Sequence, residues 1–265
     1  MDALERIAAA LERLAPPPPA PVDPLGHPAY AWEAGGLRPI AAASQPLDRL
    51  LGLDRQRDTL LRNLRRLAQG HAAHDVLLWG ARGSGKSALA KAAVAAVQRE
   101  HPGLALVVAD ELKALPVLFA TLGAVVRPFA VFVDDVGVDA PADARALRSL
   151  LEGGAKPRPA NVRLLVTANR RHLQPRDMRE QADAISGRDV ADDQLALADR
   201  FGLSLGFHAL DQDGYLAIVA GYADVYGLSA DPGDAIEWAA RRGSRSGRVA
   251  WQFIVEAAGK AGRVL

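Results

Sequence analysis

The alternation of apolar and polar positions divides the chain into stretches with different periods. Across residues 76–207, short apolar runs alternate with helical repeats: strands at 76–79, 104–108, 129–133, 162–167 and 203–207, with helices at 85–97, 112–122 and 142–151. The strands are rich in Val and Leu and show no polar face, the pattern of a parallel sheet covered by helices on both sides. Ahead of them, Asp54 opens an amphipathic helix in which Leu60, Leu61, Leu64 and Leu67 recur at helical spacing until Gly70 stops it, whereas 30–52 reads as irregular. Beyond Phe207, residues 213–226, 234–241 and 247–260 read as helices, with no further strand. The expected fold class is α/β, with a three-layer αβα core on a mainly parallel sheet, followed by a small C-terminal helical domain.

The ends of the chain and its composition refine this division. Leu4, Ile7, Leu11 and Leu14 share one helical face, and four prolines at 16–19 then end that helix and continue as an extended spacer. The segments expected are an N-terminal helix over 1–15, a Pro-rich linker over 16–29, the core over 30–207 and the helical unit over 208–265. The first of these reads equally as a docking helix or as a frayed terminus, because an isolated helix of this length is marginal. Residues 174–199 are polar, acidic and weakly periodic, the pattern of a surface loop or frayed helix pair. Cysteine is absent, which excludes disulfides and thiolate metal sites and agrees with a reducing cytoplasm. Apolar runs stop short of the ~20 residues of a membrane helix, and Met1 is not followed by a signal-peptide pattern. A cytoplasmic protein with no membrane association is expected. The net charge of +1 supplies no global field for nucleic acid.

One motif carries the chemistry. Gly80, Ala81, Arg82, Gly83, Ser84, Gly85, Lys86 and Ser87 fit G-x-x-x-x-G-K-[ST] directly behind the apolar strand at 76–79. Glycines let successive N–H groups turn toward an anion, and the helix behind adds the positive end of its dipole. Arginine outnumbers lysine 27 to 5, so Lys86 is a scarce residue in the position that reaches β- and γ-phosphates. Ser87 would offer its hydroxyl to Mg²⁺. The strand at 129–133 ends in Asp134 and Asp135, where a phosphate-loop ATPase places a magnesium-organising acid and a water-activating acid. Asn169 follows the strand at 162–167 and would hold the attacking water or touch the γ-phosphate, unless it is simply a turn or cap residue.

These landmarks resemble the AAA+ ATPases. Under that resemblance Leu51 and Gly52 precede the first helix at the nucleotide, Asn169 takes the sensor-one position, and Arg200 in Ala198-Asp199-Arg200-Phe201-Gly202 is the arginine finger. The C-terminal helices become a lid whose cation is Arg248 rather than Arg245, because Gly247 starts the last helix and aims Arg248 at the cleft from its first turn. More narrowly, the runs 77–87, 168–173 and 200–203 look like a bacterial family of predicted AAA+ ATPases catalogued as domain of unknown function 815. The resemblance covers roughly residues 30–265. It implies binding of ATP and Mg²⁺, with Lys86, Asp135, Asn169 and Arg200 as the catalytic set and Ser87 and Asp134 at the metal. It also implies assembly into a homo-oligomer in the ATP state. Two departures stand out: Asp135 replaces the usual glutamate, shortening the reach to water, and Arg82 replaces a small or proline residue inside the loop.

The expected function is therefore slow Mg²⁺-dependent ATP hydrolysis coupled to assembly or remodelling of an unknown protein client. An ATP-dependent adaptor resembling helicase loaders, with little turnover, is the alternative. A threading motor is disfavoured, since no aromatic residue lies between Val108 and Leu115 to grip a polypeptide. Arg241, Arg242, Arg245 and Arg248 also read as a patch for nucleic-acid phosphates, which the near-zero net charge disfavours.

Overall fold

The computed structural model describes residues 22–136, 147–151, 158–169 and 200–265, together with Asp2, Ala3 and Arg6. The expected helix over 1–15, most of the helix at 142–151 and the segment 174–199 lie outside the described residues.

Seven strands form one sheet: β1 (Ala29–Glu33), β2 (Gly36–Pro39), β3 (Val76–Gly80), β4 (Ala105–Ala109), β5 (Phe129–Val133), β6 (Val162–Asn169) and β7 (Leu203–Phe207), in the order β2-β1-β4-β5-β6-β3-β7. All neighbours pair parallel except β1 and β2. The apolar runs explain how both faces are covered. Leu77, Phe129, Val131, Val133, Leu164 and Val166 point into one core, while Val76, Leu78, Ala130, Phe132 and Leu165 point into the other. Successive side chains of a strand leave by opposite faces, so a strand buried on both sides must be apolar at every position.

Helices α1 (Asp54–Ala68) and α2 (Lys86–Glu100) fill the second core, and α3 (Leu115–Gly123) with the helical residues 147–151 fills the first. The result is the expected three-layer αβα core. Helices α4 (Gln212–Tyr226), α5 (Pro232–Arg241) and α6 (Gly247–Lys260) build a third cluster of their own around Tyr215, Val219, Ala235, Phe253 and Ile254. Asp211, Asp231 and Ser246 cap them, each side chain accepting from the N–H three residues on.

Three expectations are corrected. Residues 30–52 are not irregular: β1 and β2 form a hairpin that lengthens the sheet beyond β4, and Leu47–Arg49 forms a 3-10 turn. The strand pattern is weak because β1 (AYAWE) carries no Val, Leu or Ile, and the four-residue β2 is only part-buried at the sheet edge. The helix expected over 112–122 breaks into a 3-10 turn at Leu112–Ala114 and α3, because Pro116 has no N–H and is at home only in a first turn. Finally, β6 runs two residues past Thr167, carrying Asn169 within the sheet. Residues 22–28 lie against the core: Tyr30 donates its hydroxyl to Asp23 O at 2.9 Å and Arg127 donates to Pro24 O at 2.6 Å.

Candidate nucleotide site

The carboxyl ends of β3, β5 and β6 lie side by side, and register decides what meets there. Gly80 of β3 pairs with Asn169 of β6, and Val133 of β5 pairs with Val166 of β6. The loop after β3, the acids after β5 and the amide ending β6 therefore share one edge of the sheet.

The loop begins where β3 ends beside β7, Gly80 being paired with Phe207. Gly80 has φ +140, and a Cβ there would overlap the Phe207 carbonyl, so only glycine lets the strand leave at this point. Ala81 N–H then donates to Phe207 O at 3.2 Å. Gly85 (φ +95) is the N-cap of α2 and offers no side chain to its first-turn N–H groups, which remain directed at whatever anion approaches. Lys86, only 6 % exposed, donates from Nζ to Gly80 O (3.0 Å), Ala81 O (2.8 Å) and Asn169 Oδ1 (3.2 Å). Burial pushes its ammonium below the usual lysine range, against the opposing pull of Asp135 and Asp134, while Arg248 and Arg82 push it down further.

The two carboxylates behave differently. Asp134 Oδ1 accepts from Ser87 Oγ at 2.6 Å and from Thr167 Oγ1 at 2.5 Å. Asp135 adopts φ +50, a left-handed conformation uncommon outside glycine, and its N–H donates to Thr167 Oγ1 at 2.8 Å. Its Oδ1 accepts from Asn169 Nδ2, and its Oδ2 lies 3.6 Å from Arg82. Thr167, 1 % exposed, is thus the joint between both acids, and the sequence reading gave it no role. A lone hydroxyl at a core position of an apolar strand is the signal that would have found it.

The loop opens onto a cleft of about 800 Å³ between the sheet edge and the C-terminal helices. Leu51 and Gly52 line one side, Ile218, Tyr222 and Trp251 the other, and Arg248 stands at the loop, with its N–H donating to Gly83 O at 3.3 Å. Arg245 instead lines a smaller chamber of about 380 Å³ shared with Arg82. One residue pair ties the sides together: Arg49 donates to Tyr226 Oη at 2.8 Å and lies 5.3 Å from its ring centroid; within the helical side, Trp251 packs edge-on to Tyr222 at 5.4 Å. None of Arg49, Tyr222, Tyr226 and Trp251 is marked by a sequence motif.

Arg200 is the one sequence-chosen residue that the structure places elsewhere. Phe207 pairs with Gly80 and Leu203 with Val76, so Arg200, preceding β7, sits at the opposite end of the sheet from the loop. Buried Phe201 anchors it to the core while Arg200 itself is exposed.

Among the described residues, no group of three His, Asp or Glu forms a metal cage, and no helix is long and apolar enough to cross a membrane.

Residues 26–261 match the family described as protein of unknown function (DUF815). Among solved structures the fold is similar to the Aeropyrum pernix ORC2 protein, at 16% identity and a TM-score of 0.53, covering 83% of this chain and 68% of that one. It is similar also to the Aeropyrum pernix ORC1 protein in complex with DNA, at 14% and 0.52, covering 85% and 68%. A point variant of Thermotoga maritima RuvB aligns at 19% and 0.50, covering 80% and 63%. No curated protein matches the chain. With a family match spanning nearly its whole length, the chain belongs to the DUF815 family, and its mainly parallel seven-stranded sheet with covering helices has the three-layer αβα P-loop NTPase fold.

Proposed function

We propose that the cleft binds ATP with Mg²⁺ and that the chain hydrolyses it slowly, coupling the change to assembly with further copies and to switching of a protein client. The observation that carries this reading is the convergence on one sheet edge of a buried lysine, an uncapped helix N-terminus and a Ser87–Asp134 pair. That set fits a polyphosphate and a hard cation, which takes few protein ligands.

A bound triphosphate with its cation would supply the phosphoanhydride to be cleaved and the charge that neutralises the leaving oxygens. Lys86 and the N–H groups opening α2 would hold the phosphates, and Ser87 and Asp134 the cation. Asp135 would orient a water molecule and take its proton at Oδ2, while Asn169 fixes the other carboxylate oxygen and Lys86 together. Arg248 would reach the phosphates from the helical lid. Leu51, Gly52, Tyr222 and Trp251 would cover the base and exclude water. Arg200, at the opposite end of the sheet from its own loop, would serve the site of a neighbouring copy. An ATP-dependent adaptor with little turnover is the second reading, favoured by the engagement of both Asp135 oxygens.

Equilibrium binding of a fluorescent ATP analogue and single-turnover hydrolysis test the proposal. Lys86→Ala is expected to weaken binding at least about tenfold, since a charge-assisted contact is lost. Asp135→Asn is expected to keep binding and slow hydrolysis by about a hundredfold or more. Hydrolysis retained in both variants would refute the assignment.

A further inference from the structure

Arg82 is a large cation placed inside a loop whose task is to wrap an anion with its main chain. Its side chain is 78% exposed, with the guanidinium 3.6 Å from Asp135 Oδ2, and the other Asp135 oxygen accepts from Asn169. The carboxylate is therefore engaged on both sides, by an amide from β6 and by a cation carried on the loop itself. Arg248 and Arg82 both oppose the charge of Lys86, which Asp135 and Asp134 favour. Arg82 also borders both chambers, the main cleft and the smaller one beneath α5.

The pairing with Asp135 is weak. Its partners are 78% and 56% exposed and separated by more than a hydrogen bond, so it shifts an equilibrium by no more than about fivefold. A phosphate dianion is a stronger acceptor for guanidinium than a solvated carboxylate, because it carries more negative charge and a third acceptor oxygen.

We propose that Arg82 is exchanged between Asp135 and the terminal phosphate of the bound nucleotide, which makes it the residue that distinguishes a nucleoside triphosphate from a diphosphate. The inference rests on the reading of the cleft as a nucleotide site. Without a terminal phosphate, the guanidinium stays beside Asp135 and competes for Oδ2. With one, it moves to the phosphate and Oδ2 is released. The same side chain thereby ties the availability of Asp135 to the presence of the phosphate to be transferred, within one subunit and before any neighbour contributes a residue.

The test is a double-mutant cycle on binding, using a non-hydrolysable ATP analogue and ADP with the full chain, Arg82→Gln, Asp135→Asn and the double variant. Both positions are exposed, and asparagine tolerates the left-handed conformation at 135, so all four proteins are expected to fold; matching thermal melts check this. Arg82→Gln should weaken the triphosphate analogue about tenfold and ADP less than twofold. Asp135→Asn should tighten the triphosphate analogue about two- to fivefold while Arg82 is present and lose that gain in the double variant; ADP should show no such coupling. Additive effects on the triphosphate, or an equal loss for ADP in Arg82→Gln, would overturn the exchange alone. Failure of the unmodified chain to bind either nucleotide would overturn the nucleotide reading and the exchange with it.

Discussion

Lys86 shows how one residue is made ready for a ligand. Its ammonium is buried and satisfied by neutral oxygens of its own loop and of Asn169, so the fold carries the cost of holding a charge there, which the proposed phosphates would offset. A lysine whose folded value is lowered binds fewer protons than in the unfolded chain at pH values between the two. Stability therefore rises with pH as the solution passes through the folded value toward the ordinary 10.5. The nucleotide-free chain should gain stability relative to Lys86→Met as pH rises toward 10.5, measured as the difference in urea midpoint. A difference that stays flat, or grows the other way, would show that burial does not depress this lysine. Thr167 teaches the complementary point, since one hydroxyl both donates to Asp134 and accepts from the Asp135 N–H.

At the scale of elements, the site is assembled by strand ends and closed by helices. The phosphate loop, the acid pair and Asn169 were legible because each follows an apolar run at a spacing that chemistry constrains. The opposite wall was not, because Arg49 reaches Tyr226 across 177 positions and no local pattern records such a contact. That contact joins the 3-10 turn before α1 to the last residue of α4, and Trp251 of α6 packs within 5.6 Å of the Tyr226 ring centroid. Tyr226→Phe should cost about 1 kcal/mol in denaturant unfolding, the worth of one hydrogen bond, and weaken nucleotide binding by severalfold. Trp251 emission should change on ATP addition and the change should vanish in Trp251→Phe. Unaltered affinity in Tyr226→Phe would mean the two sides close without this contact.

For the whole molecule, the distance between Arg200 and the loop matters most. A residue at the amino end of β7 cannot serve a site at the carboxyl end of β3 in the same chain, because the full strand β7 separates them. If it acts in trans, Arg200→Ala should lower turnover about a thousandfold while leaving nucleotide affinity intact. Mixing Arg200→Ala with Lys86→Ala subunits should recover part of the activity, since one supplies an intact loop and the other the arginine. Light scattering with and without Mg²⁺-ATP provides the companion measurement; a monomer under both conditions, or mixtures as inactive as their components, would remove the trans role.

The amino-acid sequence by itself determined the fold class and the identity of the phosphate loop, because unbroken apolar strands permit only a doubly covered sheet and because the loop needs glycine, lysine and serine at set spacing. It also named Asp134, Asp135 and Asn169 as chemical groups. Tertiary structure alone decided that Thr167 joins the two acids, that Arg49 and Tyr226 tie the cleft's walls together and that Arg82 rests against Asp135. It also extended the sheet with a hairpin that local periodicity did not show. The physical reason is range: backbone periodicity and loop chemistry are local and survive as patterns in the chain, whereas register and helix docking arise from burial shared among distant segments. Only the folded sheet brings those partners to one edge.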